Sequence, residues 1–206
     1  MRLPIASEGW PFILPGFALA GLFALLHWRV AAGTALALAL FVTWFFRDPV
    51  RAIPADPETL VSPADGKVIE ILPLPGGGTQ ISIFLSIFNV HVNRSPVAGE
   101  VIDVTRRPGK FLAAWKHEAS SDNVQAAVTV RTPRGDVRFV QITGLIARRI
   151  VCHLAPGAHV ARGERYGLIR FGSRVDIFLP PSAAPSVRVG DRVRGGADVI
   201  ARWLAV

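Results

Sequence analysis

Two uncharged apolar runs, residues 11–26 and 30–46, open the chain three residues apart, interrupted only by His27-Trp28-Arg29. Each is about 16 or 17 residues long, the lower edge of what spans a hydrocarbon core. A chain that begins this way must bury two apolar helices in protein or place them in lipid. A pair of buried core helices is one solution. A membrane hairpin fits better, because Trp10, Trp28 and Trp44 lie close to the run ends, where interfacial tryptophans collect. A signal peptide fits poorly: Glu8 precedes the first run, no small-residue cleavage site comes after it, and the second run begins at once. A hairpin puts both ends on one side. Arg47 and Arg51 then put the downstream chain in the cytoplasm by the positive-inside rule. The expected location is therefore the cell (inner) membrane, with residues beyond the hairpin on its cytoplasmic face. Runs this short also leave room for a shallow, re-entrant anchor.

The segment Phe46-Arg47-Asp48-Pro49-Val50-Arg51-Ala52-Ile53-Pro54-Ala55-Asp56-Pro57 is proline-rich and charged, a natural boundary. It divides residues 1–50, the hairpin, from residues 51–206. Charge supports the division. Arg2 and Arg29 against Glu8 leave residues 1–46 at +1, so +7 of the formal +8 lies beyond them. That balance, with a pI of about 11.1, suits an anionic partner, either nucleic acid or a membrane surface. The single cysteine, Cys152, excludes an intrachain disulfide, and its setting in Ile150-Val151-Cys152-His153-Leu154 reads as a buried strand thiol.

Residues 51–206 read as mainly β. Short β-branched stretches at 66–71, 80–85, 97–104, 127–130, 137–142 and 147–152 are bounded by Gly, Pro or Asp. Residues 108–123 are the one stretch that reads as helix or ordered loop. Further along is a weak repeat: Gly157-x-x-Val160-x-x-Gly163 returns 33 residues later as Gly190-x-x-Val193-x-x-Gly196. Glycines turn the chain there and the valine points inward, a hairpin device. Two such units suggest a barrel-sandwich-hybrid architecture of the lipoyl and biotinyl type behind the helical hairpin.

Between two runs rich in Ile, Val and Phe stands Gly172-Ser173. The plain reading is a turn. The sharper one is a scissile bond: Gly172 has no Cβ to shield its carbonyl, so the Ser173 hydroxyl can attack it. An N-to-O acyl shift would give an ester, loss of the Ser173 α-proton would expel the Gly172 carboxylate, and hydrolysis of the resulting dehydroalanine would leave a pyruvoyl group heading residues 173–206. The dipeptide alone does not choose between the two readings. Other candidate groups are Asp65, in the turn Pro63-Ala64-Asp65-Gly66, and His91, set between apolar residues with Asn93 two positions on and so on the same side of a strand. Each also has an ordinary structural reading, as a turn residue and as a satisfied core histidine. His27, His117, His153 and His159 are scattered, and no pair has metal-ligand spacing.

In order along the chain, Ala64-Asp65-Gly66, Asn89-Val90-His91-Val92-Asn93-Arg94 and Arg170-Phe171-Gly172-Ser173-Arg174-Val175-Asp176 resemble the short, membrane-anchored bacterial form of the phosphatidylserine decarboxylases. Phe46-Arg47-Asp48-Pro49, Pro108-Gly109-Lys110-Phe111 and residues 141–150 support the likeness, which covers roughly residues 46–206. The resemblance implies self-cleavage at Gly172-Ser173 into a large chain, 1–172, and a small chain, 173–206. Its cofactor would be the pyruvoyl derived from Ser173, with no metal and no pyridoxal phosphate. Asp65 and His91 match the aspartate and histidine that assist the serine in the logic of a triad. Longer members carry two histidines three residues apart; here Arg94 stands where the second would fall, which leaves open whether His91 serves both cleavage and decarboxylation.

The implied activity converts phosphatidylserine to phosphatidylethanolamine through a Schiff base between the pyruvoyl ketone and the serine amine, with His91 as the candidate proton donor. Arg94, Lys110 and Asn93 are the candidate substrate-binding residues, the two cations for phosphate or carboxylate. The expected partners are phosphatidylserine and an anionic membrane surface, besides the two chains of one precursor; a homodimer stays open. Three rivals remain. A non-catalytic barrel-sandwich adaptor or lipoyl carrier is one, although a carrier needs a lysine at a hairpin tip and neither repeat unit has one. A nucleic-acid-binding protein is another, without a recognisable motif to support it. The third is a pyruvoyl decarboxylase of another amino-acid headgroup or a soluble amino acid.

Overall fold

The computed structural model describes residues 4–145, 149–170 and 172–205; Phe171 and residues 146–148, part of two of the stretches that carry the resemblance, lie outside the described residues. The chain forms two compact units, Met1–Val50 and Arg51–Val206. In the first, α1 (Trp10–Leu25) carries proline at its start, where a missing N–H costs nothing, and α2 (Arg29–Phe45) comes after a tight turn. Gly16 lies against Ala39, the small-residue contact that lets apolar helices approach closely. The two ends meet: Ile5 bridges Arg47, and the Asp48 N–H donates to the Pro4 carbonyl at 2.7 Å. This is a helical hairpin with both ends on one side. Leu14, Leu19, Leu22, Leu25, Leu38 and Leu40 all remain exposed. The 19-residue helical stretch Ser7–Leu25 is long and apolar enough to cross a membrane, while α2 is a shorter apolar helix.

The second unit is built from short strands: β1 (Thr59–Val61), β2 (Gly66–Pro73), β3 (Thr79–Leu85), β4 (Val92–Arg94), β5 (Gly99–Arg107), β6 (Gln125–Thr132) and β7 (Gly135–Ile142). After these come β8 (Ile150–Cys152), β9 (His159–Val160), β10 (Arg165–Ile169), β11 (Ser173–Leu179), β12 (Ala183–Pro185), β13 (Arg192–Val193) and β14 (Val199–Trp203). The mainly β expectation holds. An eight-stranded sheet runs β13-β2-β3-β11-β7-β6-β5-β9, and two three-stranded sheets, β1-β14-β12 and β4-β10-β8, complete the unit.

The repeated glycine-valine units take opposite edges of the large sheet. Val160 pairs outward with β5 and Val193 with β2, so each is a two-residue edge strand and not a self-contained hairpin. Both valines are buried, and the four flanking glycines all have positive φ, 75° to 103°, which glycine adopts without steric cost. Residues 108–123 are mostly irregular, with one short helix, α3 (Ala119–Asp122).

The strand β11 lies inside the large sheet, antiparallel to β3 on one side and β7 on the other. Strand alternation splits its side chains. Val175, Ile177 and Leu179 join the main core with Ile83, Val128 and Phe139, whereas Phe178 packs on the other face against Ala127, Val140 and Ile142. Ser173 opens the strand on the core side, opposite Leu85.

Candidate active site

Gly172 and Ser173 sit where β11 begins. Gly172 has φ +57°, the left-handed region that a side chain disfavours. Its carbonyl oxygen presses against Gly144: a Cβ built on Gly144 would stand 2.2 Å from that oxygen and 3.1 Å from the Ala114 Cβ. Two glycines are therefore needed here, one to turn and one to admit the turned carbonyl. The Ser173 hydroxyl is fully buried and has no hydrogen-bond partner among the described residues. Buried hydroxyls are ordinarily paired, so this one stands out.

His91 is 2% exposed and immediately precedes β4. Its Nδ1 lies 3.0 Å from the Asn89 carbonyl, which can only accept, so Nδ1 carries the proton. Nε2 is then an acceptor, and it takes the Gly172 N–H at 3.2 Å. The structure thus brings together two groups that lie 81 residues apart in sequence. Asn93 is fully buried, and its Oδ1 accepts from Gln141 Nε2 at 2.8 Å. Gln141 is paired with Val175 and so faces the same interior side as Ser173. Asn93 Nδ2 and Gln141 Oε1, like the Ser173 hydroxyl, are buried without a partner among the described residues.

Asp65 is held elsewhere along the site. It takes two hydrogen bonds from Arg51 Nη2, at 2.9 and 2.8 Å, and one from the Gly195 N–H at 2.8 Å. Arg94 donates to the Gly163 carbonyl and lies against Gly196, on the turn that Asp65 also grips. Lys110 is exposed and paired with Asp122 at 2.9 Å. Beside Asp65 and Asn89 opens a cavity of about 900 Å³, walled by Phe84 and Phe88 and bordered by Lys67, Arg192 and Arg194. Among the described residues no three His, Cys, Asp or Glu side chains gather in a metal-binding group.

Residues 38–201 match the family model for phosphatidylserine decarboxylase. The chain is 46% identical over 205 residues to the phosphatidylserine decarboxylase proenzyme of Nitrosomonas europaea, covering 97% of this chain and 95% of that protein. It is 49% identical over 210 residues to the proenzyme of the same name from Symbiobacterium thermophilum, covering 98% and 97%. The chain belongs to the phosphatidylserine decarboxylase family.

In this member of the phosphatidylserine decarboxylase family, several residues beyond the sequence candidates contribute to the site. Arg51, read as a membrane-side charge, is the partner of Asp65. Gln141 faces Asn93 from a strand that shows only β-branched alternation around it. Behind β11, Arg174 and Asp176 are each 1% exposed and form an ion pair at 2.6 Å, joined by Glu70 at 2.8 Å. Two charged residues at alternate strand positions ordinarily mark a solvent face; here residues 108–123 cover them.

Two site carboxyls set an acid limit. Burial pushes the Glu70 carboxyl up, but hydrogen bonds from Arg174 and His117 outweigh it and hold it below its ordinary 4.5. Asp198 is likewise pushed up by burial and drawn below its ordinary 3.8 by Arg194. Both bind protons less tightly folded than unfolded. Their stabilisation is present above the unfolded values and is lost as pH falls through the lowered folded ones. The urea midpoint of the detergent-dissolved chain is expected to hold between about pH 7 and 5 and to fall below about pH 4, with Glu70→Gln flattening part of that fall.

Proposed function

We propose that the chain is a precursor that cuts itself between Gly172 and Ser173, and that the pyruvoyl group so formed lets it decarboxylate phosphatidylserine to phosphatidylethanolamine. The observation that carries this reading is the peptide itself: a buried Ser173 hydroxyl, unpartnered among the described residues, comes directly after a left-handed glycine whose N–H rests on His91 Nε2. The relatives' names, each a phosphatidylserine decarboxylase proenzyme, support it.

Ser173 Oγ attacks the Gly172 carbonyl carbon; the C–N bond breaks and an ester replaces the amide. Removal of the Ser173 α-proton then breaks the Cβ–O bond, and the Gly172 carboxylate leaves with residues 1–172. Water adds to the dehydroalanine that remains and ammonia departs, giving a ketone at the head of residues 173–206. The arrangement suits each stage. Gly144 admits the reacting carbonyl, and His91 holds the adjoining amide with a basic nitrogen one residue from the nucleophile. Displacing that carbonyl should matter: Gly144→Ala is expected to slow cleavage at least tenfold, since ångström-scale misplacement costs up to about 10²-fold. Uncut precursor accumulating over time on a gel would show it.

A pyruvoyl ketone supplies the electron sink that decarboxylation of an α-amino acid requires. The buried cluster of Ser173, Asn93 and Gln141 offers polar atoms without partners among the described residues where such a group would stand, so the residues fit it. His91 then holds the proton to be delivered to the former α-carbon. Asp65 acts as a positioning residue, tying Arg51 to the 194–196 turn. Lys67, Arg192 and Arg194, which border the cavity, are cations for the lipid phosphate and carboxylate beside the sequence candidates Arg94 and Lys110, and Asn93 is a polar contact. The apolar hairpin anchors the enzyme in the inner membrane with Arg51–Val206 on the cytoplasmic face.

The test supplies purified protein with phosphatidylserine in anionic vesicles and, separately, with free serine. Carbon dioxide and phosphatidylethanolamine from the lipid alone are expected, with prior borohydride reduction abolishing both. Turnover of a different amino-acid headgroup and none of phosphatidylserine would refute the substrate.

A further inference from the structure

The buried charge cluster behind β11 has a place in the chain that gives it a role, one that rests on the cleavage proposed for Gly172-Ser173. Once that bond is broken, Ser173 becomes the head of a new chain and Arg174 supplies the first ordinary side chain behind the reactive group. Chain ends fray unless tied down. This one is tied through Arg174. The guanidinium is 1% exposed and donates from Nε to Asp176 at 2.6 Å, and from Nη2 to Glu70 at 2.8 Å and Ser82 Oγ at 2.6 Å. Asp176 in turn accepts from Ser120 Oγ at 2.7 Å and from Gln80 at 3.1 Å. Glu70 lies on β2 and Ser82 on β3, while Ser120 belongs to the covering segment. All three precede the cut, so they belong to the large chain, and Arg174 and Asp176 to the small one.

A buried ion cluster is a weak device for stability alone, because an apolar pair of similar volume would do as well. What a guanidinium adds is direction: its planar fork, held by carboxylates from two strands, sets both position and rotation. Ser173 and Arg174 point to opposite faces of the strand, so fixing the Arg174 plane fixes the angle at which residue 173 is presented to the core side, where Asn93 and Gln141 meet.

We propose that Arg174, gripped by Glu70 and Asp176, is a positioning residue that holds the head of the small chain in place after cleavage. Before cleavage the continuous backbone through Gly172 supplies the same restraint. The cluster therefore matters for turnover and little for self-cleavage.

The experiment uses the full-length chain with Glu70→Gln, which keeps the side-chain shape and leaves the Arg174–Asp176 pair balanced, beside Arg174→Lys, which keeps the charge and loses the fork. Each is scored by intact mass, by kcat and KM on vesicle phosphatidylserine well below its melting temperature, and by hydrogen exchange over residues 173–179. Both variants are expected to cut within about twofold of the wild-type rate. In the cut protein kcat should fall at least tenfold with KM within about threefold, and exchange at the start of β11 should rise. In an uncut Ser173→Ala background, Glu70→Gln should leave that exchange unchanged. A fully cut Glu70→Gln enzyme with wild-type kcat would overturn the proposal. So would equal losses in cleavage rate and kcat, or equal exchange in cut and uncut chains, each the mark of general destabilisation. A wild-type chain that never cuts is recognised by mass before any rate is taken, and it overturns the processing itself along with this inference.

Discussion

A Ser173→Ala chain is expected to stay whole at 22.2 kDa and to release no carbon dioxide from phosphatidylserine. The methyl group can neither attack Gly172 nor become a ketone, so both losses should reach the limit of the assay. The fold should survive. The Ser173 hydroxyl is buried without a partner among the described residues, and an unsatisfied buried polar group costs about 1–3 kcal/mol. Its removal should leave the variant at least as resistant to urea as the uncut precursor. Loss of activity with undiminished stability separates a chemical role for Ser173 from a packing one. A Ser173→Ala protein that still cuts, or still turns over lipid, would place the chemistry elsewhere.

Replacement of His91 carries the second large effect. General acid-base catalysis by a positioned side chain contributes about 10²- to 10⁴-fold, and His91→Ala is expected to lower kcat within that range. His91 also accepts the Gly172 N–H, so the alanine variant removes an anchor as well as a proton carrier. His91→Gln separates the two. An amide oxygen can accept that hydrogen bond but cannot carry a proton at neutral pH. If the proton is what matters, His91→Gln should be nearly as inactive as His91→Ala; recovery to within about tenfold of wild type would reduce His91 to an anchor. Timing self-cleavage by mass, apart from turnover, shows whether this one histidine serves both steps, given Arg94 three positions on.

Much of this architecture was legible along the chain, for physical reasons that differ from place to place. The apolar hairpin is written in composition, and the turns and buried valines at Val160 and Val193 in the spacing of their glycines, although these units pair outward as edge strands and not as the hairpins expected. Both are local signals. His91, Gly172 and Ser173 were candidates from their own residues, family likeness chose between their structural and chemical readings, and the Gly172 N–H to His91 contact joins the first two across the fold. What escaped was long-range. Arg51 reads as a charge flanking a membrane segment until Asp65 is seen to hold it. The burial of Arg174 and Asp176 is invisible along their strand, because nothing in an irregular stretch such as residues 108–123 announces that it covers that face. Gln141 takes its meaning from Asn93, 48 residues away. Pairings of this kind depend on sheet order, which alternation along a strand does not encode.

The most direct measurement is the intact mass of the purified wild-type chain. Two species are expected, residues 1–172 and residues 173–206, the smaller about one-sixth of 22.2 kDa. The smaller should be blocked to stepwise amino-terminal degradation and should form an adduct with a carbonyl reagent. A single folded species of 22.2 kDa, without a reactive carbonyl, would contradict the account.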